Sequence, residues 1–187
     1  MKILTRRKAL RAWLAGALAM ALMSWSEPSY AEGNAEVDAM AKASLETLYA
    51  ENLAAKQLSA SAAGILVFPD IKKAGLGVGG EVGTGVLRIG DVSDGYYRTL
   101  SVSVGFQAGF QSYGYVIMFL TADALESFKS KNGFELGVDG SVAVIDTGAS
   151  VDIDTNNIQA DTVGFVFDES GLMANATIEG SKITRLD

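Results

Sequence analysis

The sequence predicts an α+β domain: N-terminal helices packed on a large, curled or barrel-like, mainly antiparallel β-sheet, with one further helix inserted between strands. Three observations predict it. Apolar residues recur at helical spacing between about residues 37 and 62. From Gly64 onward the apolar period changes to two. Glycine, 21 residues in 187, is spread along the apolar strand segments and not gathered into linkers, as expected for bent or closely approaching strands.

The elements follow in order. Asn34 is a suitable N-cap, and Val37, Met40, Ala41, Leu45, Leu48 and Tyr49 form the apolar stripe of a first helix, with Lys42, Glu46 and Glu51 on the other face. That stripe has two readings: it covers the sheet, or it lies on a membrane or over a lipid. A second helical piece runs from about Leu53 to Ala62 and ends at Gly64. Ile65–Phe68 reads as a short buried strand stopped by Pro69-Asp70. Gly75, Gly77 and Gly79 then alternate with Leu76 and Val78. One strand face is therefore bare backbone, against which a helix or a crossing strand should pack.

Val86–Ile89 continues the sheet, and Asp94-Gly95 marks a turn. Tyr96, Arg98, Leu100, Val102, Val104 and Phe106 share one face of a long strand. Tyr115–Leu120 is apolar on both faces and should be the most central strand. Thr121 caps a helix with Asp123 and Glu126 at its start, Leu125 and Phe128 on its buried stripe, Lys129 and Lys131 at its end and Asn132-Gly133 closing it. Strands resume at Phe134, Leu136, Val138, Val142 and Val144, then Val151 and Ile153, then Val163, Phe165 and Phe167, then Leu172–Ile178. Glu179-Gly180-Ser181-Lys182 reads as a type II′ hairpin. The expected sheet has about eight to ten strands in total.

Composition removes several function classes. The chain has neither Cys nor His. Thiol nucleophiles, disulfides, Cys/His zinc sites and the usual neutral-pH general base are therefore excluded. No acid/base pair or nucleophile stands out among the remaining residues, so the chain reads as no enzyme, and no cofactor or metal is expected.

The first thirty residues read as an address. Lys2, Arg6, Arg7, Lys8 and Arg11 form a basic segment; Ala12–Met23 is apolar but shorter than the roughly 20 residues a spanning helix needs. Pro28 and the small residues Ser29 and Ala31 follow, at −3 and −1 of a cleavage site. Residues 1–31 thus read as a signal peptide, with a single domain over 32–187 and a periplasmic or otherwise exported destination. Thr5-Arg6-Arg7-Lys8-Ala9-Leu10-Arg11 resembles a twin-arginine signal, and the general secretory route is the alternative. Removing residues 1–31 takes away five of 15 basic and one of 22 acidic residues. That leaves 10 against 21, a net charge of −11. Such a surface repels phosphate backbones, so nucleic acid is excluded as a partner.

Two motifs fail on context. Gly75–Gly80 satisfies the dinucleotide pattern of spaced glycines, but Glu81-Val82-Gly83-Thr84-Gly85 is a poor helix and sets a carboxylate where phosphate would lie. Asp152, Asp154 and Asn156 resemble the opening of a calcium loop, but Asn157 and Val163 stand where Gly and Glu are required. The visible basic concentration is Lys72-Lys73, with Arg88 and Arg98 candidates to lie near it in the sheet. Together these four are the candidate contacts for a small anion or lipid headgroup.

Gly64–Leu87, Gly95-Tyr96-Tyr97, Ser103–Phe119 and the tail with Gly171-Leu172-Met173 and Glu179–Lys182 closely resemble the SYLF domain, from about Ser44 to the C-terminus. The resemblance implies lipid binding. Eukaryotic members, beside SH3 or FYVE modules, bind phosphoinositides and in yeast associate with actin; bacterial members are mostly exported. Within the matching run it carries over Lys72 and Lys73 as headgroup contacts. The reading is therefore an exported, non-catalytic lipid-binding protein of the cell envelope, its partner a lipid or membrane surface. The alternative is a structural or interaction module of the envelope without a small ligand.

Overall fold

The computed structural model describes the backbone of residues 30–145, 160–168, 171–172, 178 and 180–186. The side chains of 30–33, 75–78, 103–110 and 171–172 fall outside that description. The chain divides into two units, Met1–Gly33 and Asn34–Asp187, and the second holds the sheet. Arg6 and Arg7 of the expected signal, and the expected strand at Val151 and Ile153 with the Asp152–Asn156 motif, lie outside the described residues.

Two helices lead: α1 (Tyr30–Glu51) and α2 (Leu53–Ser59). The first begins four residues before Asn34, so the expected cap lies inside it, and Ala31 falls in its first turn. Asn52 caps the second, its side-chain oxygen accepting from the Ala55 amide at 2.8 Å. Ala41, Leu45 and Leu48 of α1 and Ala55 and Leu58 of α2 are buried with Val67, Val86, Val116, Met118, Val163 and Phe165. The apolar stripe therefore covers the sheet.

The sheet has seven strands among the described residues: β1 (Gly64–Ile89), β2 (Val92–Phe119), β3 (Phe134–Glu135), β4 (Ala143–Ile145), β5 (Thr162–Asp168), β6 (Gly171–Leu172) and β7 (Lys182–Leu186). It is mainly antiparallel: of the six strand pairings among the described residues, five are antiparallel and one, β4 with β5, is parallel. The several short strands expected before residue 120 are instead the two arms of one long hairpin, β1–β2. Pro69-Asp70 does not stop β1. It sits at a register shift between Phe68 and Ile71, where a bulge absorbs the missing amide of a proline on an edge strand. The hairpin turn is at Gly90-Asp91, with Gly90 at φ +58°, and not at Asp94-Gly95, which lies in β2 at the third register shift of the β1–β2 pairing.

β1 forms one side of β2 throughout. On the other side β2 pairs with β7 over Tyr96–Leu100 and with β5 over Gly114–Phe119. Tyr115–Phe119 is accordingly central, its residues 0–2% exposed. The hairpin also curls back on itself. A Cβ at Gly85 would collide with the Val67 carbonyl oxygen, and one at Gly83 would stand 2.7 Å from Ile71. A crossing strand does pack on glycine backbone, but at Gly83 and Gly85. The surroundings of Gly77 lie outside the described side chains.

The concave side holds the larger core: Leu66, Phe68, Ile71, Leu87, Tyr97, Tyr115, Ile117 and Phe119 from the hairpin, with Val166, Ile178 and Ile183. Helix α3 (Ala122–Ser130), capped by Thr121, whose hydroxyl accepts from the Ala124 amide at 3.2 Å, closes it. Its Phe128 stacks on Tyr97, Phe119 and Phe134 with ring centroids 5.0, 4.9 and 5.3 Å away. Tyr115, fully buried, donates to the Thr99 hydroxyl at 2.8 Å. Burial pushes its phenol well above the usual range.

Candidate functional site

Beside the bulge at Pro69-Asp70, a groove of about 330 Å³ lies between α1 and the sheet. Small helix residues, Ala43, Ser44 and Thr47, face it from α1, with Leu48 beside them. Pro69, Ser112 and Gly114 form its floor, and Phe167 and Asp168 of β5 close it. Gly114 is required there, because a Cβ would meet the Phe167 ring at 2.6 Å and the Phe68 carbonyl at 2.8 Å. The volume lies at the small end of ligand pockets, roughly 300–1,000 Å³.

A polar cluster stands beside the groove. Lys72 Nζ is 2.7 Å from Asp70 Oδ2 and donates to Ser112 Oγ at 3.3 Å; Ser112 in turn donates to Asp70. Burial alone would raise the Asp70 carboxyl, but its hydrogen bonds from Lys72 and Ser112 outweigh that and hold it below the ordinary value. The cluster is no nucleophile–base pair. The serine proton is committed to Asp70, and an ammonium has no lone pair with which to accept another.

Lys73 is directed elsewhere. Successive strand residues point to opposite faces, so Lys73 turns to the concave side. There its Nζ lies 2.7 Å from Glu81 Oε1, and Tyr113 donates to the other oxygen of Glu81. Burial, followed by the Glu81 hydrogen bond, pushes the Tyr113 phenol far above its usual value. Eight residues of straight strand would separate Lys73 and Glu81 by roughly 26 Å. An ion pair at 2.7 Å therefore pins the bend that runs through Gly75–Gly80. That run is strand on both sides with no helix after it, which leaves it no phosphate-binding geometry.

Arg88 donates to the Asp91 carbonyl at 3.0 Å across the hairpin turn. Arg98 is exposed on the outer face between Thr84 and Thr184. The four sequence-derived contacts are thus not one patch: Lys72 stands beside the groove, Lys73 in the concave side, Arg88 at the turn and Arg98 on the bare outer sheet. Sequence reasoning missed Asp70 and Ser112, although the i, i+2 spacing of Asp70 and Lys72 puts both on one strand face. It also missed Lys182, which β7 places beside Leu100, diagonal to Arg98. Among the described residues no group of three acidic or other ligating side chains could hold a metal ion.

Helices on one face of a curled, mainly antiparallel sheet, with a groove between helix and sheet and a polar cluster beside it, define an α+β domain with a candidate binding groove. Residues 100–187 match the family described as Ysc84, Las17-binding protein actin regulator. This stretch contains Ser103–Phe119 and the C-terminal tail, two of the segments on which the resemblance rests. Over these residues the chain is similar to that family, which agrees with the SYLF resemblance of its sequence. No curated protein matches the chain.

Proposed function

We propose that this protein is an exported, non-catalytic lipid-binding protein of the cell envelope. The observation that carries the reading is the groove between α1 and the bulged hairpin, with Leu48, Pro69 and Phe167 as apolar lining and the Lys72–Asp70–Ser112 cluster at its side. An acyl segment would lie against the apolar lining, and Lys72 would exchange part of its pairing with Asp70 for an anionic headgroup. Export rests on the signal pattern of residues 1–31 and on cleavage after Ala31.

Mass spectrometry of lipid co-purifying with the exported protein tests the binding. Ala43→Trp, at an exposed position facing the groove, should fill it and remove bound lipid with little effect on the thermal midpoint. Lipid retained at wild-type level would place it elsewhere, and no lipid on the wild type would favour an envelope interaction module. N-terminal sequencing of the same sample should begin at Glu32, and a start at Met1 would remove the signal-peptide reading. Arg6→Lys with Arg7→Lys should block export if the twin-arginine route is used; unchanged export would assign the general secretory route.

A further inference from the structure

We propose that the bare outer face of the β1–β2–β7 sheet, centred on Val82, Leu100 and Val102, is where the protein docks on an anionic bilayer. This rests on the lipid-binding reading but concerns a surface apart from the groove. The pairing places Val82 opposite Leu100, Leu100 opposite Lys182, Gly80 opposite Val102, and Thr84 and Thr184 on either side of Arg98. Opposed residues of antiparallel strands project to the same face. The alternate residues Gly83, Thr99 and Ile183 are turned to the core, so these side chains stand outward.

Outward positions of a solvated sheet are ordinarily polar. Here Val82, Leu100 and Val102 are 45%, 50% and 78% exposed. Three adjoining aliphatics on paired strands, Val82 opposite Leu100 and Val102 two residues on, form a patch and not scattered surface residues. Charge selects the occupant. Arg98 and Lys182 flank the patch, both exposed and neither in an ion pair among the described residues, a local positive pair on residues 32–187, which carry −11 overall. A two-fold contact with a second copy would bring the same two cations against each other. An anionic lipid interface offers apolar depth under the aliphatics and phosphates within reach of the two long cationic side chains at its rim.

The test is flotation of the purified protein with vesicles of phosphatidylethanolamine and phosphatidylglycerol, and separately with phosphatidylcholine alone. Val82→Ser, Leu100→Ser and Val102→Ser together should weaken partitioning at least about tenfold, since burial of one aliphatic side chain is worth about that factor. The thermal midpoint and groove-bound lipid should stay near wild type. Arg98→Glu with Lys182→Glu should reduce flotation on the phosphatidylglycerol vesicles and leave the weaker phosphatidylcholine binding unchanged. Wild-type flotation by the triple variant, or no flotation by the wild type, overturns the docking face and leaves lipid capture by the groove standing. Loss of co-purified lipid in Ala43→Trp with flotation intact separates the two sites in the opposite direction. A concentration-dependent dimer abolished by the triple variant would assign the face to a second copy and overturn the bilayer assignment.

Discussion

Two regions of one hairpin, its base and its middle, differ in what covers them. Near its base, Leu66–Phe68 and Tyr115–Phe119 are covered on both faces, by the helices on one side and the concave core on the other. Toward its middle, Val82–Thr84 and Arg98–Val102 are covered on the concave side alone, and apolar residues stand in solvent. The same chain, the same pairing and similar residue types give a sealed base and an open middle. The difference teaches that apolar alternation reports strand geometry, whereas burial depends on which element arrives on each face. At the base α1 and α2 arrive; at the middle none of the described elements does.

Three perturbations would break or sharpen this contrast. The largest effect is expected at the seal. Phe128→Ala should destabilise the domain by about 3–5 kcal/mol, because it empties the centre of an aromatic cluster against Tyr97, Phe119 and Phe134. Chemical denaturation reads this directly, and a loss below about 1 kcal/mol would mean that the concave core is not closed by α3.

Next comes a matched pair of glycines. Gly85→Val should cost about 2 kcal/mol or more, since its Cβ would collide with the Val67 carbonyl and the Phe68 ring. Gly80→Val, whose Cβ would meet nothing nearer than the Ser101 carbonyl at 3.9 Å, should change stability by less than about 0.5 kcal/mol. Equal thermal shifts for the two would show that the hairpin does not fold back on its own glycines.

The smallest effect concerns Asp70. Its carboxyl is held below the unperturbed 3.8, so its contribution to stability is complete above that pH and is lost as the pH falls through the folded-state value. Asp70→Asn should therefore be less stable than wild type near neutrality, and the gap should narrow below about pH 4. A gap independent of pH would mean that the Lys72–Asp70–Ser112 cluster is not formed in solution.

Much of the fold was legible because it follows from local rules. The apolar stripe of α1, the Thr121 cap, the doubly apolar Tyr115–Phe119 strand and the alternation of Val163, Phe165 and Phe167 all have periods or caps read within a few residues. The merging of short strands into a 26- and a 28-residue strand was not legible. Pro69 and Asp94-Gly95 look like stops unless the bulges that accommodate them are seen. The candidate site was legible only as residue types. Lys72 and Lys73 are adjacent in sequence, and the pleat sends them to opposite faces.

By itself, the sequence determined the class, α+β with N-terminal helices and an inserted helix, and the SYLF resemblance. It also excluded Cys and His chemistry outright. Only the tertiary structure decided that Lys73 pins a bend, that Asp70 and Ser112 join Lys72 beside a groove, and that Lys182 arrives next to Leu100 and near Arg98. The physical reason is range. Periodicity and caps are set by neighbours within a turn or a few strand residues, whereas strand register and curl bring together residues eight, forty and eighty-two positions apart, and no local pattern encodes those distances.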